Sequence, residues 1–143
     1  MKIKPSQREM IIAGSLVLAV VLGCQSYTTK LEKGTTATDE TAAISSLRTV
    51  AAAQATYAVQ TDGNYGSFSE LTKQGLLDAR FASENPKIRG YVLTMTTGNK
   101  KFSCNADPAD EATGRHFYID SDSAVLHVHP TRSADASDPV YKP

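Results

Sequence analysis

The chain has 143 residues, 41% of them hydrophobic, with six tyrosines, four phenylalanines and no tryptophan. Fifteen Lys and Arg balance fifteen Asp and Glu, so the basic field that nucleic-acid binding needs is missing and that class of partner is excluded. With an apolar N-terminal segment set aside, the length leaves room for one small domain and no second core.

Residues 1–9, MKIKPSQRE, carry Lys2, Lys4 and Arg8, and no charge follows from Met10 to Gly23. Positive charge before an apolar run of that length is the layout of an export signal. As a helix the run would rise only about 21 Å, against roughly 30 Å of hydrocarbon. A span therefore needs Cys24 to Tyr27 to sit at the interface, with the tyrosine as an anchor. The stretch Val21 to Cys24 resembles a bacterial lipobox, and the resemblance implies acylation of Cys24 as the first residue of the mature chain. Lipoprotein signal and uncleaved signal anchor both stay open. Either holds the rest of the chain at the membrane on its extracytoplasmic side. Residues 1–27 are thus a signal or anchor segment, and the threonine-rich 28–38 a tether.

A domain is expected over 39–130. Thr38 or Asp39 suits an N-cap, acids occupy the first turn, and TDGNYG supplies the stop. Ile44, Leu47, Ala51, Ala55 and Ala58 recur at helical spacing, with Val50 and Tyr57 alongside, predicting a long helix lying flat on another layer. A short helix follows, capped by Ser67 with Glu70 three residues on and ended by Gly75. DARFASENPKIRG reads as a loop.

Alternation then takes over. YVLTMTTGNKKFSCN predicts a hairpin turning at Gly98-Asn99, with Met95 opposite Phe102 and Leu93 opposite Cys104. A second hairpin is expected in RHFYIDSDSAVLHVH around Ser121-Asp122, with His116 opposite His127. Residues 130–143 hold three prolines and no periodicity, which predicts an extended tail over 131–143. The fold class is therefore α+β: an N-terminal apolar helix, then a long helix packed on a roughly four-stranded antiparallel sheet.

All three histidines fall in the last hairpin. His129 is two residues from His127, so His116, His127 and His129 share a face and could hold Zn²⁺. The competing reading is an exposed polar face. Asp120 and Asp122, with Asp107, Asp110 and Glu111 nearby, raise Ca²⁺, although their spacing lacks an EF-hand's glycine and terminal glutamate, and Asp-Ser-Asp-Ser also suits turn chemistry. A Cys24–Cys104 disulfide conflicts with Cys104 pointing among Leu93, Met95 and Phe102, so Cys104 reads as a small buried hydrophobe. G-x-S-x-G, HExxH, CxxC and phosphate-loop motifs are all missing, which argues against an enzyme and against a required cofactor.

The stretch DETAAISSLRTVAAAQATYAVQTDGNYGSFSEL, the hairpin GRHFYIDSDSAVLH and the ending SADASDPVYKP together resemble bacterial type IV pilin-like proteins, including the major pseudopilins of type II secretion. The resemblance covers about residues 39–143. It implies a pilin-like domain that works by contact with other subunits, in a homo- or hetero-oligomer, and calcium near the C-terminus. The N-terminus departs from the pattern, because no glycine precedes the apolar run where the family carries its prepilin-peptidase site. Three functions follow as expectations. The first is a non-enzymatic, membrane-anchored, extracytoplasmic pseudopilin-like protein. The others are a filament-forming pilin subunit and an envelope metal-binding lipoprotein.

Overall fold

The computed structural model describes residues 36–110 and 113–143. The N-terminal apolar segment, Cys24 and most of the tether lie outside the described residues. Helix α1 occupies 36–60, already formed ahead of the caps expected at Thr38 or Asp39. It ends as TDGNYG predicts: Asp62 and Gly63 both take positive φ, and the Gly63 N–H bonds back to the Ala58 carbonyl at 2.8 Å. Its buried side runs through Ala43, Ile44, Leu47, Val50, Ala53 and Gln54, whereas Ala55 is exposed and Ala51 and Ala58 are half-buried. The helix is thus rotated from the alanine-rich face expected, and Gln54 is the reason. Wholly buried, its amide donates to the Gly66 carbonyl at 2.6 Å and accepts the Gly66 N–H at 3.0 Å. One side chain so satisfies both backbone groups of a loop residue 12 positions away.

Helix α2, Phe68–Lys73, carries the capping box read from Ser67 and Glu70. Gly75, at φ +71, turns the chain out of it, and Phe68, Leu71 and Leu77 are buried. A 3₁₀ turn at Ala79–Phe81 follows, with the Asp78 carboxylate accepting from the Arg80 N–H.

The sheet has five antiparallel strands, not four: β1 (Lys87–Ile88), β2 (Tyr91–Gly98), β3 (Lys101–Pro108), β4 (His116–Asp120) and β5 (His127–His129), in sequential order. The additional strand, β1, comes from the end of the segment expected to be a loop. It has only two residues and turns through Arg89-Gly90, so neither alternation nor an Asn-Gly signal marks it. Both longer hairpins centre one residue later than expected, and in the second a six-residue connection, 121–126, replaces the two-residue turn expected at Ser121-Asp122. Thr97 pairs with Phe102 and Met95 with Cys104, while His116 pairs with His129 and Tyr118 with His127. Moving a turn by one residue moves the register by two, which leaves every side chain on its expected face. Asn99 and Lys100, both at positive φ, make the first turn.

Leu93, Phe102, Cys104, Ala106, Phe117 and Ile119 share one core with the buried side of α1. Tyr91 donates to the Arg115 carbonyl at 2.8 Å, and a Cβ on Gly114 would come within 2.5 Å of its hydroxyl, so that position needs glycine. Arg115 pairs with Glu40 of α1 at 2.8 Å and lies over the rings of Phe117 and Tyr141. It thereby ties the helix, the sheet and the C-terminus together.

Burial raises the Glu40 carboxyl, but hydrogen bonds from the Arg115 side chain and backbone outweigh it and leave the group below its ordinary range. Asp120 behaves alike: burial raises it, and bonds from Ser123, Tyr118 and Asp122 hold it low. A carboxylate depressed by folding contributes stability above its unfolded value and loses it as pH falls through the folded one. Stability is therefore expected to fall progressively below about pH 4. Urea midpoints measured from pH 7 to pH 2 should show that loss, with a shallower slope in Glu40→Gln.

Candidate functional site

The outer face of the sheet is polar by alternation: Ser103, Asn105 and Asp107 on β3, His116, Tyr118 and Asp120 on β4, His127 and His129 on β5. Part of it is covered. The segment 131–143, expected as a tail, folds back over this face and along β5. The Val128 N–H bonds to the Pro139 carbonyl at 3.0 Å, the Tyr141 N–H to the Leu126 carbonyl at 2.7 Å, and Val140 bridges to His127.

Each histidine serves this arrangement. His127 Nδ1 lies 2.6 Å from the Asp138 carbonyl and must be the donor there. His129 Nδ1 accepts the Thr131 and Arg132 N–H groups at 3.2 and 3.1 Å, so its lone pair is used. His116 Nδ1 lies 2.7 Å from Asp107 Oδ1, while Asp107 Oδ2 accepts from Ser133 Oγ at 2.9 Å. Asn105 completes the attachment by donating to Ser133 Oγ and to the Ala134 carbonyl at 3.0 and 2.7 Å. Arg132 then grips Asp138 through both carboxylate oxygens, at 3.0 and 2.7 Å, and Asp138 also accepts the Asp135 N–H.

The three expected metal ligands do lie on one face. Yet His116 and His127 are buried, contrary to the exposed polar face expected as the alternative. Among the described residues no group of three or more His, Cys, Asp or Glu could hold a metal ion. His116 Nε2 is buried without a hydrogen-bond partner. Asp120 and Asp122 are likewise committed. Asp120 Oδ1 accepts from the Asp122 and Ser123 N–H groups and from Ser123 Oγ, and its Oδ2 from the Tyr118 hydroxyl. Asp122 pairs with Lys101 at 2.7 Å, joining the tips of the two hairpins. The Asp-Ser-Asp-Ser stretch is therefore built into its own turn.

Ser133, Asp107 and His116 supply the residue types of a hydrolytic triad in the wrong order. Serine and histidine both bond to the carboxylate, whereas an activated serine needs the histidine between them. Cys104 is free and wholly buried, and burial pushes its thiol well above the ordinary range, which leaves it no nucleophilic role.

Sequence reading missed Asn105, Asp107, Arg132, Ser133 and Asp138 as a working group. Two signals were available: the polar alternation of β3, and an arginine and an aspartate six residues apart around a run of turn formers. The chain matches no protein-family model, no curated protein and no solved structure.

Proposed function

We propose that this chain is a non-enzymatic, membrane-anchored, extracytoplasmic protein of the pseudopilin-like kind, acting through contacts with other protein subunits. The observation that carries this reading is the outward side of α1. Thr41, Ser45, Arg48, Thr49, Ala52, Ala55, Thr56 and Val59 are all exposed there, Val59 at 86%. A helix side that only meets water is normally charged. This one carries a single charge and small side chains that admit close approach of another surface. The chemistry of the outer sheet face supports the same reading, because its histidines and carboxylates are engaged in holding the C-terminal segment. No helix among the described residues is long and apolar enough to cross a membrane. Anchoring on this reading belongs to residues 1–27, whether as a lipidated Cys24 or as a retained span.

The test is a photo-crosslinking amino acid at Ala52 or Ala55, compared with one at the exposed Thr96, in cells making the protein at native level. Covalent complexes of discrete size are expected from the helix positions alone, in the membrane fraction. Equal yields from Thr96, or only uncrosslinked protein, would sink the proposal.

A further inference from the structure

Between α1 and the edge of the sheet runs a groove of about 310 Å³ whose walls differ in chemistry. One wall carries Arg80, Lys87 and Arg89, and the other carries Ser45, Ser46 and Thr49 of α1. Phe81 and Ile88, both buried, form its floor. The cations are incompletely neutralised. Arg80 engages Asp78 through Nε and Nη2, which leaves Nη1 outside that pair. Arg89 reaches Asp39 only at 3.7 Å and stays 58% exposed. Lys87 makes no ion pair among the described residues.

The second observation concerns the backbone. β1 is the edge strand of the sheet. The Leu93 N–H bonds to the Pro86 carbonyl, and because hydrogen-bonded pairs alternate, Ile88 and Tyr91 form the next such pair while Lys87 opposite Val92 does not. The Lys87 N–H and C=O consequently point away from β2, and neither has a partner among the described residues. An open edge beside three cations is a template for an extended strand bearing carboxylates.

We propose that this groove docks an acidic segment of a partner protein, laid in extended form against β1. Carboxylate side chains meet Lys87, Arg89 and the free edge of Arg80, and the Ser45 hydroxyl faces them from the helix. A peptide is favoured over an anionic membrane on two counts. The cations line a recess with two walls, and Asp39 and Asp78 stand beside them, where they would repel a uniformly negative plane. A segment with carboxylates at alternate residues can set neutral residues beside the two aspartates.

The full-length protein in detergent is titrated with a synthetic hexapeptide of alternating Glu and Thr, and backbone amide NMR shifts are followed. Saturable shifts at 45–49 and 80–89 are expected, lost with a Gln-Thr counterpart and weakened at least tenfold between 50 and 300 mM salt. Lys87→Glu should abolish them. Lys87→Gln, which leaves an exposed neutral residue and an unaltered fold, should weaken them severalfold. Shifts that do not saturate, that survive Lys87→Gln unchanged, or that are matched by inorganic phosphate or by phosphatidylglycerol vesicles would each overturn the proposal.

Discussion

Replacing Gln54 with leucine is expected to destabilise the domain by about 3 kcal/mol, the cost of leaving a buried donor and a buried acceptor unpaired. Leucine is close to glutamine in volume, so little of the loss comes from a cavity. It comes from the Gly66 N–H and C=O, both bonded to the Gln54 amide, which have no water to turn to behind the helix. Gly66 packs under the Tyr57 ring, where an added Cβ would lie 3.1 Å from it. For a domain of this size the melting temperature should fall by roughly 15 °C. Gln54→Glu sharpens the test: it keeps the acceptor for Gly66 N–H and sets a second oxygen against the Gly66 carbonyl, so it should do no better than leucine. Urea unfolding of the three proteins decides the matter, and a loss under about 1 kcal/mol would mean that the loop rearranges to find other partners.

Asp138→Ala is expected to cost about 2 kcal/mol, concentrated in the C-terminal segment. Asp138 takes both Arg132 contacts and the Asp135 N–H, and it is 9% exposed. Arg132, half in solvent, recovers its hydration when the partner goes; the Asp135 N–H and the loop geometry do not recover as easily. Amide exchange at Val128 and Tyr141, whose N–H groups hold the segment to β5, should speed up roughly thirtyfold. The amides of β3 should change much less. Equal acceleration everywhere would show that the segment opens only with the whole domain.

What could be read in the sequence divides by range. The capping box of Ser67 and Glu70 was legible because it closes within three residues. The faces of β2, β3, β4 and β5 were legible as period-two alternation, and they survived an error in each turn because both errors moved the register by two. Strand β1 was not legible, since two residues are too few to show a period. The rotation of α1 was hidden for another reason: a glutamine goes inside only when its amide meets matching groups, and Gly66 sits 12 residues on. The docking of 131–143 depends on Asn105 and Asp107, 26 to 29 residues upstream. Proline-rich composition conveys only that the segment is neither helix nor regular strand. For the candidate site, the shared face of His116, His127 and His129 was legible, while the use made of that face was not.

Cys104 turns the burial of the core into a chemical clock. Its thiol lies between sheet and helix with no exposed surface, and burial raises its pKa. A thiol-specific reagent therefore has nothing to attack until strands and helix separate. In a chain where Cys24 is replaced by serine, the rate of labelling would report the opening of the domain directly, without denaturant. The same shielding keeps this thiol from forming mixed disulfides while the domain stays folded. That chemical silence would end under the very conditions that loosen the fold.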